Sequence, residues 1–268
     1  MSTRPVYPND ALALVLVELR HPPTEPPARP ELAALKEMLS QWAPILEREE
    51  GRQFNIGTGE QVAFSMPKLV ARDRHMAITF RPDAMTLEMT DYPGWEAFNK
   101  IITAMVVARQ DVAPVDGCVR IGLRYINEVR APLGGQGWSE WVVDSLLGPQ
   151  DQLADLKLTT TAQQHVVRCE SVHPGDALTL RYGAAKGVVI PSTPTLQRLK
   201  EPTAQEKDFF LIDIDNAWAD SHNHIPPLDS ELVDATAQRL HEPIGPLFES
   251  LIKPDLRTKV LQQDRSEA

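Results

Sequence analysis

Strand-like segments arrive in runs along this chain, with few helical segments between them. Parallel strands need a long crossover, usually a helix, between successive members, so this order favours an antiparallel α+β architecture over a doubly wound parallel sheet. The clearest alternation lies in Val119–Arg130. There Ile121, Leu123, Tyr125 and Val129 fall on one face, and Arg120, Arg124, Glu128 and Arg130 on the other. His75–Thr90 reads as a hairpin, with Met76, Ile78 and Phe80 before the turn Arg81-Pro82-Asp83-Ala84 and Leu87 and Met89 after it. Ala11–Leu19 is almost continuously apolar, the pattern of a strand covered on both faces. Further strand signals occur near Arg52–Ile56, Gln61–Phe64, Leu156–Glu170, Ala177–Tyr182 and Phe209–Ile214, with Gly183–Gly187 read as a turn.

Three helical patterns complete the outline. Pro30 suits a first helical position, followed by Leu32, Leu35, Leu39 and Trp42 at helical spacing. Trp95, Phe98, Ile102, Met105 and Arg109 mark the face of a second helix, four of the five positions being core-facing. Asp229 is a natural N-cap for a third, in which Leu232, Leu240, Leu247 and Leu251 turn inward. Pro243 and Pro246 predict a break there, because each removes a backbone donor and crowds the preceding turn. A hairpin followed by a long amphipathic helix thus occurs once in each half. The expected fold is α+β: mainly antiparallel sheet with long amphipathic helices packed on one face. Two sheet-plus-helix halves, residues 1–132 and 153–268, share one body, joined by a linker at 133–152 that contains Gly134-Gly135-Gln136-Gly137.

Composition narrows the function classes. The formal net charge is −10, from 27 Lys and Arg against 37 Asp and Glu. With no basic tail, direct nucleic-acid binding is not expected, since phosphate contacts need clustered cations. Cys118 and Cys169 are too few for a disulfide framework and form no CxxC zinc pair; both read as small buried residues at strand ends. The early apolar run Ala11–Val17 lacks the flanks of a signal peptide, and nothing approaches the ~20 apolar residues that span a bilayer. The expectation is a soluble, cytoplasmic protein with no membrane contact.

The standard catalytic signatures are missing. There is no GxxxxGK[ST] phosphate loop, GxSxG elbow or HExxH helix, and Pro243 spoils the only histidine–glutamate pair, His241-Glu242. No cofactor is expected. Three features remain. Residues 201–242 hold ten acids against Lys207 and Arg239, and within them Asp213 and Asp215 leave the same face of a strand, with His222 and His224 shortly after. These four are weak metal-ligand candidates, set against a solvated strand end and loop. Arg120, Arg124 and Arg130 form a ladder suited to a phosphate or carboxylate. The plainer reading is cross-strand ion pairing on a wet face, for which the acids of the other half offer partners. Trp138 and Trp141, i and i+3 beside the glycine cluster, fit either an exposed anchor for a partner protein or a small satellite core.

Four segments carry a family resemblance, from residues 5 to 257: the early Pro-containing strand with VELRHPP, then TDYPGWEAF, RIGLRYINEVR and LHEPIGPLFESLIKPDLR. In them the chain resembles a sporadically distributed bacterial family with no assigned activity, RIGLRYIN being the most distinctive segment. It departs from that family's pattern at Pro243 and Pro246, inside a normally uninterrupted amphipathic stretch. The resemblance implies no role for Arg124, Tyr125 or Asn127. Sporadic occurrence goes with mobile defence cassettes, and the expected function is a non-enzymatic binding protein: an antitoxin, immunity or defence factor whose acidic run meets a protein partner with a basic surface. The alternatives are a metal-dependent hydrolase using Asp213, Asp215, His222 and His224, and a binder of a small anionic ligand at Arg124. Homo-oligomer formation is left open.

Overall fold

The computed structural model describes residues 7–54, 61–134, 137–203, 207–220 and 225–263. Its strands are β1 (Leu12–Arg20), β2 (Ile45–Phe54), β3 (Gln61–Val70), β4 (Met76–Phe80), β5 (Ala84–Met89), β6 (Arg120–Val129), β7 (His165–Glu170), β8 (Asp176–Lys186) and β9 (Asp208–Ala219). The helices are α1 (Arg29–Met38), α2 (Trp95–Val112), α3 (Gln150–Asp155), α4 (Ser230–His241) and α5 (Ile244–Leu251). The strands form one sheet in the order β2-β3-β4-β5-β1-β6-β9-β8-β7, every pairing antiparallel. The fold is α+β. The two sequence halves share this sheet, because β6 pairs with β9 along its length, from Arg120 opposite Ala219 to Val129 opposite Phe210.

Alternation sorts each strand between two unlike environments. Val15, Val17 and Leu19 of β1, Leu87 of β5, Ile121, Leu123 and Tyr125 of β6, and Ile212 and Ile214 of β9 are buried in the main core. Helices α2 and α4 pack against each other, and α4 lies on β6 and β9. Gly94 starts α2 with φ at 97°, a conformation open to glycine and strained for side chains with a Cβ. Arg109 is buried along with the apolar residues of α2. Asp229 caps α4 by accepting from the Leu232 amide, 2.8 Å away, and Asn216 Nδ2 ties β9 to α4 at the Leu240 carbonyl, 2.8 Å away. The helix stops at His241 and α5 begins at Ile244, so the chain breaks at Pro243 as its sequence predicts.

Several local expectations are corrected. The strand expected over Leu156–Glu170 begins only at His165, and Gly183–Lys186 continues β8 instead of turning. β2 and β3 extend over Ile45–Phe54 and Gln61–Val70, and the end of the Arg52–Ile56 signal lies outside the described residues. The second face of β1 is covered only in part: Leu14 is buried in a small second core, whereas Glu18 and Arg20 line an open cavity. Cys118 is buried, and burial pushes its thiol up to about 12, whereas Cys169 on edge strand β7 is exposed. Trp138 and Trp141 are 9% and 6% exposed and belong to the main core, so neither serves as a surface anchor. Trp138 packs against Phe210 with ring centroids 5.6 Å apart, and the Trp141 indole donates to the Pro132 carbonyl at 3.0 Å. No described helix is long and apolar enough to cross a membrane.

The helix-free face is partly crossed by a strap, residues 187–200, that its sequence did not announce. Leu196, with Val189 and Ile190, covers Leu14, Ala77 and Ile126 in a small second core. The strap is pinned by Gln197 N to the Arg74 carbonyl at 2.7 Å and by Thr90 Oγ1 to the Gln197 carbonyl at 2.6 Å.

Candidate functional site: a charged basin on the open face of the sheet

Beside the strap the open face holds a cavity of about 600 Å³ walled by Leu16, Glu18, Arg20, Lys68, Thr79, Arg81, Thr86, Glu88, Arg120, Gly122 and Arg124, among others. Its depth follows from the register. Lys68, Thr79, Thr86, Glu18 and Gly122 are successive partners across β3, β4, β5, β1 and β6. Partners directly opposite in antiparallel pairs share a face, so this row contributes mostly short side chains to the floor. The flanking rows carry longer ones: Arg20 with Arg120, and Glu88 with Leu16 and Arg124. At Gly122 an added Cβ would clash with the Arg120 guanidinium, so the missing side chain leaves room for that group beside the strand.

Here the arginine ladder and the acidic pair meet. Arg124 grips Asp213 with two hydrogen bonds, Nε to Oδ1 at 2.8 Å and Nη2 to Oδ2 at 2.7 Å. Arg120 reaches Asp215 at 3.3 Å and Glu18 at 3.1 Å. Arg181 lies 3.5 Å from Asp213 and 3.6 Å from Asp215. Glu18 also accepts from Arg20 at 2.6 Å and Arg81 at 2.8 Å. Burial alone would raise the Glu18 carboxyl, but the hydrogen bonds from Arg20 and Arg81 overcome that and hold it below the usual glutamate range. The guanidinium of Arg124 is held further toward its charged form by its bond to Asp213.

Five guanidinium groups (Arg20, Arg81, Arg120, Arg124 and Arg181) therefore pair with four carboxylates (Glu18, Asp83, Asp213 and Asp215), a local excess of one positive charge. The β3 end has the opposite balance. Lys68 Nζ lies 2.5 Å from Glu49 and 3.6 Å from Glu88, one cation between two carboxylates.

Arg130 leaves this group. It donates to Glu128 at 3.0 and 2.7 Å, and its guanidinium lies 5.3 Å from the Phe209 ring centroid. Arg198 from the strap binds the same carboxylate at 2.6 Å, and Glu128 and Arg130 line a separate cavity of about 650 Å³ beside Pro132, Leu133 and Val260. The metal assignment is not supported by the arrangement. Asp213 and Asp215 are occupied by arginines, and no group of three or more His, Cys, Asp or Glu able to hold a metal occurs among the described residues. His222 and His224 lie outside the described residues. The acidic run is also not one surface: Asp213 and Asp215 point to the basin, while Asp229 caps α4 and Asp234 accepts from Asn99 of α2 in the helical layer.

Sequence reasoning found Arg120, Arg124, Asp213 and Asp215 but missed Glu18, Lys68, Thr79, Arg81 and Glu88. The signal lay in β1 and β5, where Glu18 and Arg20, and Thr86 and Glu88, hold alternate positions between buried residues. Comparison with family models, curated proteins and solved structures returned no match.

Proposed function

We propose that the protein is a binding protein whose ligand carries an anionic group, received at Arg120 and Arg124 on the open face of the sheet. One observation carries this reading: a cavity of about 600 Å³ stands beside Arg124, and its wall carries five cationic side chains (Arg20, Lys68, Arg81, Arg120 and Arg124) against four carboxylates (Glu18, Glu49, Glu88 and Asp215). Arg124 spends Nε and Nη2 on Asp213 and has no hydrogen bond on Nη1 among the described residues, so a donor remains for a carboxylate or phosphate. The carboxylates around it fix the arginines in place before any ligand arrives, which lowers the ordering cost of binding. Because the acids of the 201–242 run divide between two layers, a basic protein partner has less to support it than an anionic ligand.

Calorimetric titration of the full chain with inorganic phosphate, glutarate and a nucleoside monophosphate tests the reading. Binding of at least one of these, weakened tenfold or more by Arg124→Gln, is the expected result. Absence of binding by all three, or equal affinity in Arg124→Gln, would overturn it.

A further inference from the structure

We infer that the basin is built for a zwitterion: a ligand whose anionic group meets Arg124 and whose amine meets Glu88. The inference rests on the anion-binding reading above and adds the second pole. Leu16 of β1 pairs with Glu88 of β5 on one side and with Arg124 of β6 on the other, so the three lie in one row on the same face. Two strand spacings of about 4.8 Å separate the outer members, so their backbones stand about 10 Å apart. A carboxylate, an apolar side chain and a guanidinium therefore follow one another along the cavity wall.

Three features mark the Glu88 end as a second recognition point. Glu88 accepts no hydrogen bond from the described residues, and its nearest cation is Lys68 Nζ, 3.6 Å away, which sits closer to Glu49 at 2.5 Å. Two carboxylates thus share one ammonium, a local deficit of one positive charge. Thr79 is 3% exposed, lines the cavity and has a hydroxyl with no hydrogen-bond partner. A buried hydroxyl left unpaired costs about 1–3 kcal/mol. The two ends carry opposite charge imbalances, which sets the direction in which a zwitterion lies.

An extended chain spans about 3.3–3.6 Å per residue, so the charged termini of a tripeptide are about 10 Å apart. Triglycine is therefore a suitable probe, and N-acetyl-triglycine keeps its carboxylate while losing the amine. In calorimetric titrations of the full chain, triglycine should bind at least tenfold more tightly than its acetylated form. Glu88→Gln should abolish that difference, and Arg124→Gln should weaken both peptides. Equal binding of the two peptides, with Arg124→Gln still weakening both, would overturn the zwitterion inference and leave the anion reading standing. Failure of triglycine to bind at all would also overturn it. Binding untouched by Arg124→Gln would remove both readings together.

Discussion

The two faces of this sheet are made from alternate residues of the same strands, yet they are held by different physics. On the helical face Val15, Val17, Leu19, Ile121, Leu123 and Tyr125 are all at 0% exposure. Water is expelled there, and each fully buried large side chain contributes about 1.5–3 kcal/mol. On the other face the intervening residues Leu16, Glu18, Arg20, Arg120 and Arg124 border an open cavity. Those of its ion pairs that solvent reaches contribute only about 0.2–1 kcal/mol each, because solvent screens them. The helical face therefore supplies stability, and the open face is free to carry charge and shape for a ligand. A face that contributes little to folding is the one that can hold an unpaired hydroxyl at Thr79 and an unsaturated carboxylate at Glu88.

This contrast makes a graded set of outcomes. Phe98→Ala, at a fully buried position of α2, should cost about 3–5 kcal/mol in urea unfolding, the largest effect of the series. A loss under about 1 kcal/mol would show that the helical face is not the dominant source of stability. Asp213→Ala removes a 2% exposed carboxylate and leaves Arg124 and Arg181 without it; about 1–3 kcal/mol is expected from the same measurement. If it equalled or exceeded Phe98→Ala, the proposed ranking of the two faces would be wrong. Arg124→Gln breaks the same pair from the other side and leaves the 2% exposed Asp213 with Arg181 alone, so a loss of about 1–3 kcal/mol is expected along with the lower anion affinity. Asp229→Ala deletes the cap of α4 and should cost about 1 kcal/mol.

The smallest effect is a pH dependence. The Glu18 carboxyl is held below its ordinary value of 4.5 in the folded protein. Protons bind it more readily in the unfolded chain, so its stabilisation is present above that value and is lost as pH falls through the lower folded one. The stability difference between the wild type and Glu18→Gln should shrink on acidification below about pH 4.5; a difference that held constant or grew would contradict the arrangement of three arginines around Glu18.

Much of this was legible locally. The alternation in Arg120–Val129, the hairpin of β4 and β5, the N-cap at Asp229 and the break at Pro243 all follow from periods of two or 3.6 and from the backbone chemistry of single residues. Reading failed where the outcome depended on neighbours. Trp138 and Trp141 beside a glycine cluster gave no sign that Phe210, far along the chain, would pack on one of them. Leu156 and Leu158 carry a strand signal but stay exposed, because β7 begins only at His165. The strap across Leu14 and Ile126 has no regular period to announce it.

By itself, the sequence determined which side chains each strand turns to one face and that arginines and aspartates would stand on the same kind of face. Alternation is a property of the extended backbone and needs no partner. Only the tertiary structure decided that β6 lies between β1 and β9, that Asp213 therefore meets Arg124, and that Thr79, Thr86 and Gly122 align into a floor with Glu88 and Arg124 beside it. Strand order and register are long-range choices, set by which apolar faces close over one core, and the basin is the consequence left on the opposite side.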